Sequence, residues 1–105
     1  MKGRKGSEAM WEAIKGSREL HANCRSMFRS LKSVRDPDGS RKAQQLLFYY
    51  EKPVKRAMKD LRISMHPGLW YLSSRAKRRK AMSAFNYLFD VCSIGLGPEL
   101  QKLLK

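Results

Sequence analysis

Four side chains have the chemistry needed for metal binding or nucleophilic catalysis: His21, Cys24, His66 and Cys92. His21 and Cys24 fall on one predicted helix, but a cysteine nucleophile needs an aligned base and a third group that orients the base. A zinc site needs more ligands at shorter spacings than two cysteines 68 residues apart provide, and secreted disulfide scaffolds are denser in cysteine. We therefore predict no enzyme activity, no metal and no cofactor, and two free thiols that are buried or half-buried.

The other candidate chemistry is cationic. Lysine and arginine number 23 against 9 aspartate and glutamate residues, which gives a net charge of +14 over 105 residues. Self-repulsion at this charge destabilises a free protein unless a polyanion neutralises it. The side chains that are candidates for binding such a polyanion lie in an N-terminal segment, on a first helix, on a second helix and in a basic run over residues 75–80. They are Lys2, Arg4, Lys5, Arg18, Arg25, Arg29, Lys32, Lys55, Lys59, Arg75, Lys77, Arg78, Arg79 and Lys80.

A plainer interpretation of these groups is a set of solvated helix faces. Such faces usually mix both signs, because acids support lysines four residues away. On the second helix, Glu51 and Asp60 flank the apolar stripe and do not balance the opposite side. The cations on that side are Arg41, Lys52, Lys55, Arg56, Lys59 and Arg62. A nuclear import signal would explain the basic run alone, whereas an anionic partner explains all the groups.

Two groups of aromatic residues lie next to cations in the sequence: Phe48, Tyr49 and Tyr50, and then Trp70 and Tyr71. Aromatic rings beside cations can stack on exposed bases. Rings on helices are more often part of a core, and we predict core positions for both groups.

The elements that must position these side chains are helices. Apolar or small residues recur at alternating steps of three and four over residues 10–34, 43–61 and 81–92, and no run alternates with a period of two. The connections are short, which favours antiparallel neighbours. We predict the all-α class, as an antiparallel three-helix bundle with a flexible basic arm (residues 1–6), a single helical RNA-binding domain (residues 7–105) and a short C-terminal helix.

Capping and breaking residues predict the helix boundaries. Ser7 and Ser40 are the predicted N-caps of the first two helices, with a turn over residues 36–39 between them. Pro53 is expected to kink the second helix or to divide it in two. The remaining predicted boundaries are a third-helix start near residue 75 or at Leu69, its end at Gly95 and Gly97, and a last helix from Pro98.

Two segments resemble a known family. HANCRSMFRSLKSV (residues 21–34) is similar to the asparagine-and-arginine stretch on the long first helix of the bacterial-type small-subunit ribosomal protein twenty family, the S-twenty family. GLWYLSSRAKRRKAM (residues 68–82) is similar to the glycine, apolar pair, polar pair and basic cluster that opens the family's third helix. The resemblance covers about residues 18–90. Residues 7–20 depart from the family, with three glutamates and Trp11 where the family has a lysine-rich segment. The two tryptophans, the two cysteines and residues 98–105 are also unlike a compact bacterial member and are typical of a diverged organellar member.

The resemblance implies a structural component of the small ribosomal subunit, whereas the charge alone implies only a polyanionic partner. The expected partners are ribosomal RNA of the small subunit and neighbouring ribosomal proteins, with no small-molecule substrate and no membrane. The expected location is a ribosome of the mitochondrial matrix rather than of the bacterial cytoplasm. Two alternatives are a viral or phage accessory protein that binds double-stranded RNA, and a peripheral protein on anionic membranes, which would need an apolar face outside the core.

Overall fold

The computed structural model describes the backbone of residues 2–104 and the side chains of residues 8–104. This part of the chain is helical and contains no strand, so the predicted all-α class is confirmed. Five α-helices and one short 3-10 helix follow one another along the chain. They are α1 (Lys2–Ser33), α2 (Pro37–Leu61), the 3-10 helix (Arg62–Met65), α3 (Pro67–Leu72), α4 (Arg75–Ser93) and α5 (Leu96–Leu104).

The first helix starts earlier than predicted. α1 begins at Lys2, so the predicted N-cap at Ser7 is wrong. Lysine and arginine are good helix formers, and each glycine in this segment costs only about 1 kcal/mol, so the helix extends back through it. The side chains of Lys2, Arg4 and Lys5 lie outside the described residues, as does any test of the predicted flexibility of residues 1–6.

The segment between the first two helices starts α2 instead of only ending α1. Asp36 is the N-cap, with its Oδ2 accepting a hydrogen bond from the backbone N–H of Gly39 at 3.0 Å, and Pro37 occupies the first turn. The predicted cap at Ser40 is therefore wrong, because proline at the first helical position and aspartate before it form a stronger start. Pro53 lies inside α2 without dividing it. Val54 and Ala57, which follow it, are buried in the core, and their packing supports the helix across the proline.

The predicted start of the third helix near residue 75 is confirmed, because α4 begins at Arg75, whereas the alternative start at Leu69 falls in the separate helix α3. α3 ends at Leu72, and Ser74 caps α4 by accepting a hydrogen bond from the N–H of Lys77 at 3.3 Å. The last helix begins at Leu96 and not at Pro98. Gly97 permits this earlier start, because a Cβ at that position would lie 1.9 Å from the carbonyl oxygen of Cys92. A glycine that looked like a helix end is therefore a close-packing position.

The core lies where α1, α2, α4 and α5 meet. It contains most of the predicted apolar stripes, although Leu47, in the middle of the α2 stripe, is only half-buried and packs against the edge of the core. The molecule measures 56 × 26 × 19 Å, so the core is thin and much of each helix faces water. No helix in the described part of the chain is long and apolar enough to cross a membrane. The core residues are Leu20, Cys24, Phe28, Leu31, Ala43, Val54, Ala57, Leu61, Ala84, Leu88, Val91, Leu96 and Leu100.

Candidate nucleic-acid interface

Cations of α1 and α2 face one another across a shallow groove of about 310 Å³, the α1–α2 groove. α1 contributes the ridge predicted from the sequence, because steps of three and four place its cations beside the buried stripe. α2 contributes Lys55 from the opposite wall, and the apolar side chains of Phe28 and Met58 complete the lining. The four cations that line this groove are Arg25, Arg29, Lys32 and Lys55.

Glu51 is the acid that contacts this groove's lysines. Its carboxylate lies 3.8 Å from Nζ of Lys32 and 3.9 Å from Nζ of Lys55. Both pairs are exposed to solvent, and exposed ion pairs contribute about 0–1 kcal/mol. Glu51 therefore orients two lysines towards each other without removing the positive charge of the groove.

A second and larger groove, about 620 Å³, runs between α2 and α4. We call it the α2–α4 groove. Its lining includes the small, buried side chains of Ala57 and Ala84, one from each helix. Its cations are Arg56, Arg79 and Lys80, and Asp60 is the acid in its lining. Lys55 and Arg56 are adjacent in sequence but line different grooves, so α2 is the common wall between two positive surfaces.

The α2–α4 groove also contains an aromatic side chain. Tyr87 and Pro53 lie on its lining, from α4 and α2 respectively. Burial raises the pKa of the Tyr87 hydroxyl, and the neighbouring Tyr50 and Tyr49 raise it further. The rings of Tyr49 and Tyr50 meet edge to face, with their centroids 4.9 Å apart. Three tyrosines are therefore gathered where α2 and α4 face each other.

The basic run at the start of α4 is distributed over different surroundings. Arg79 and Lys80 line the α2–α4 groove, whereas Arg75 and Lys77 are exposed outside both grooves. No acid occupies the first turn of α4, where acids usually complement the positive end of the helix dipole. The cations there lie at the positive end of the helix dipole, which is an unfavourable position. A bound anion would reduce this repulsion.

Arg78 holds α3 against α4. Its Nε donates a hydrogen bond to the carbonyl of Trp70 at 3.0 Å, and its Nη2 donates one to the carbonyl of Tyr71 at 3.2 Å. The guanidinium carbon also lies 5.5 Å from the centre of the Trp70 ring. The planar fork of arginine suits this double contact with the end of a short helix. Arg78 thus has a structural task that the sequence pattern does not reveal.

Arg18 has a comparable position on α1. Its Nε donates a hydrogen bond to the carbonyl of Met65, at the end of the 3-10 helix, at 3.0 Å.

The structure thus brings six of the predicted RNA-binding residues into two grooves and ties Arg18 and Arg78 to backbone carbonyls, while Lys59 is exposed elsewhere on α2. Sequence reasoning missed Tyr87 as a groove residue. The feature that could have indicated this role is a pair of alanines, Ala57 on α2 and Ala84 on α4, because small residues on facing helices leave a depression beside them.

The aromatic predictions are partly wrong. Phe48, Tyr49 and Tyr71 are 92%, 72% and 71% exposed, whereas Tyr50 and Trp70 are half-buried. A thin core covers only one side of each helix. Because adjacent rings point in different directions around a helix, the core cannot bury all of them. Exposed rings beside cations are therefore available for contact with a partner.

The two thiols are free, as predicted, and lie together between α1 and α4, with their Sγ atoms 3.8 Å apart. A hydrogen bond with Cys92 and burial raise the pKa of Cys24, and the same hydrogen bond lowers the pKa of the more exposed Cys92. Within residues 8–104, no group of three or more histidine, cysteine or acidic side chains is placed to hold a metal ion.

Comparison of the chain with models of protein families, with curated proteins and with solved structures gives no match.

Proposed function

We propose that the protein is a structural component of the small ribosomal subunit that binds ribosomal RNA through the two positive grooves on either side of α2. The observation that carries this proposal is the pairing of the grooves: cations from three helices converge on them, and each groove has one nearby acid, Glu51 or Asp60. A surface with this excess of positive charge lowers the stability of the free protein through repulsion between cations. Bound phosphates neutralise the cations and remove that repulsion.

The proposed scaffold is an antiparallel three-helix bundle of α1, α2 and α4, with α5 as its short C-terminal helix. Contacts between distant residues support the antiparallel order of α1 and α2. Lys32, near the end of α1, contacts Glu51 in the middle of α2, whereas Arg18, nearer the start of α1, contacts Met65 beyond the end of α2. In this arrangement the two grooves lie on either side of α2.

The proposed mechanism is electrostatic clamping of folded RNA. Lysine and arginine neutralise phosphates and release the counterions condensed on the RNA. The base edges of an A-form duplex are hidden in a deep groove, so the α1–α2 groove would recognise backbone shape and 2′-hydroxyl groups. Two grooves separated by the width of one helix let a single small protein hold two RNA segments together.

The resemblance to the S-twenty family supports the ribosomal assignment. The first similar segment, residues 21–34, contributes three of the four cations of the α1–α2 groove, and the second, residues 68–82, contributes Arg79 and Lys80 of the α2–α4 groove. The two tryptophans, the two cysteines and residues 98–105 are unlike the compact bacterial members. They favour a mitochondrial ribosome, where added contacts with neighbouring ribosomal proteins are expected.

The decisive experiment is sedimentation of the native protein with small ribosomal subunits, followed by titration with small-subunit RNA at increasing salt. With about 6–10 phosphate contacts, the affinity should fall roughly 10³–10⁵-fold between 50 and 200 mM salt. Arg29→Ala, in the α1–α2 groove, should lower the slope of log affinity against log salt by about one unit. Arg41→Ala removes an exposed cation outside both grooves and should leave the slope nearly unchanged.

A flat salt dependence, or equal effects of Arg29→Ala and Arg41→Ala, would contradict binding through the grooves. If the protein binds RNA duplexes of any sequence but never sediments with small subunits, the ribosomal assignment fails and a double-stranded RNA-binding accessory protein takes its place.

A further inference from the structure

The α2–α4 groove differs from the α1–α2 groove in having an accessible aromatic surface. Tyr87 is 37% exposed and lies on the lining, whereas Phe28, the one aromatic residue that lines the α1–α2 groove, is a buried core residue. Tyr49, beside Tyr87, is largely exposed. The two grooves share a positive charge but present different surfaces to a nucleic acid.

An exposed tyrosine in a positive groove suits an unpaired base. A base stacks on an aromatic ring through its flat face, which is covered by neighbouring base pairs in a duplex and is accessible in loops, bulges and single strands. Cations near the ring hold the attached phosphate, a combination found in grooves that bind single-stranded nucleic acids. Arg56, Arg79 and Lys80 are those cations in this groove.

The dimensions of the groove fit the same ligand. The α2–α4 groove is an open depression of about 620 Å³, about twice the volume of the α1–α2 groove, and it leaves the face of Tyr87 open to a planar base. Ala57 and Ala84 lie on its lining, where larger side chains would project into the groove. Pro53 lies on the lining with Tyr87 and adds a second rigid apolar surface against which a planar ring can lie.

We propose that the α2–α4 groove holds one unpaired nucleotide of the bound RNA, with its base stacked on Tyr87 and its phosphate held by Arg79 and Lys80. This inference rests on the RNA binding proposed above. It assigns a different task to each groove: the α1–α2 groove contacts the backbone of a duplex, and the α2–α4 groove fixes the register of the protein by capturing a nucleotide at a loop or a bulge.

The test uses two RNAs with the same stem. One is a hairpin whose loop contains a fluorescent adenine analogue with emission that reports stacking, and the other is the stem as a blunt duplex without unpaired nucleotides. The full-length protein is titrated with each RNA at constant salt. Binding of the hairpin should change the emission of the analogue, and the hairpin should bind more tightly than the duplex.

Tyr87→Ala should weaken hairpin binding roughly 5- to 150-fold, the range for loss of one base stack, with the duplex affinity unchanged. Tyr87→Phe retains the ring and should retain the hairpin affinity. Tyr71→Ala is the matched control, because it removes an exposed aromatic ring on α3 outside the groove. Circular dichroism of each variant verifies that the helices are intact.

The outcomes separate this inference from the proposed function. If Tyr87→Ala leaves the hairpin affinity and the emission unchanged, or weakens both RNAs equally, the nucleotide site is wrong while RNA binding stands. If the unmodified protein binds neither RNA, the proposed function itself fails.

Discussion

Neighbouring cations in the basic run have different physical tasks. Successive residues on a helix point about 100° apart, so Arg78 reaches back to α3 while Arg79 enters the α2–α4 groove. Arg78 is half-buried with two hydrogen bonds to carbonyl groups, whereas Arg79 is exposed. The run therefore combines an internal brace with a contact surface, although its sequence looks uniform.

Arg78→Ala and Arg79→Ala should consequently fail in different ways. Loss of the charge-assisted hydrogen bonds of Arg78 should cost about 1.5–3 kcal/mol of the free energy of unfolding. Arg79→Ala should change stability by about 0.5 kcal/mol or less and weaken RNA binding, with the salt slope lower by about one unit. Urea denaturation and RNA titration measure the two effects. Equal stability of the two variants would contradict the bracing task of Arg78.

His21 is expected to make stability depend on pH. Burial, with Arg25 and Arg62 nearby, lowers its pKa in the folded protein from the usual 6.5. The unfolded chain therefore binds a proton more readily, so stability is fully present above about pH 6.5 and decreases as the pH falls below that value. It levels off once the pH is below the lowered pKa of the folded state.

Urea denaturation at several pH values between about 5 and 7.5 tests this expectation, in a range chosen to lie above the ordinary pKa values of carboxylic acids. His21→Gln should flatten the dependence, and His66→Gln should keep it because His21 is still present. A slope that survives in His21→Gln would show that another group is responsible.

At the scale of elements, the junction between α4 and α5 depends on the absence of a side chain at Gly97. A Cβ there would overlap the carbonyl oxygen of Cys92, while a Cβ at Gly68, in α3, would meet no atom within 4 Å. The two glycines lie within helices but in opposite packing situations.

Gly97→Ala should therefore destabilise the protein by at least about 1–3 kcal/mol, since α5 must move away from α4. Gly68→Ala should be neutral or stabilising by up to about 1 kcal/mol, because alanine favours the helix more than glycine does. Thermal and urea denaturation of both variants measure the difference. A Gly97→Ala protein as stable as the unmodified one would show that α5 does not pack in this way.

The sequence allows the helices and their buried faces to be predicted because the period of apolar residues is a local property. Leu20, Cys24, Leu61 and Leu88 follow from that period. The helix ends were predicted less well, since Asp36 and Ser40 both have capping chemistry and only the observed backbone selects one. The pairing of Lys55 with α1 and of Arg56 with α4 depends on which helices become neighbours, and Tyr87 has no local feature that marks it as a groove residue.

At the scale of the whole molecule, a net charge of +14 is spread over an elongated body with a thin core. The ion pairs in the described part of the chain involve Glu51 and Glu99, and all are exposed. In the free protein, dissolved salt therefore reduces the repulsion between cations more than the ion pairs within the protein do.

Raising the salt from about 10 to 150 mM, which shortens the screening length from about 30 to 8 Å, should raise the melting temperature and the helicity of the free protein. The combined change Lys52→Gln, Lys59→Gln and Lys77→Gln removes exposed lysines outside both grooves. That variant should melt higher at low salt and respond less to added salt. Circular dichroism with heating measures both quantities, and a salt-independent melt would contradict the repulsion.

The position of α5 in the core has a consequence for the synthesis of the chain. Leu96 and Leu100 are buried against helices made much earlier, and Leu100 is added 80 residues after Leu20. At roughly 5–20 residues per second, the ribosome needs about 4 to 16 s to cover that distance. During this interval the parts of the core that α5 covers stay exposed to solvent. The same positive charge that weakens the finished fold then opposes the association of nascent chains with one another.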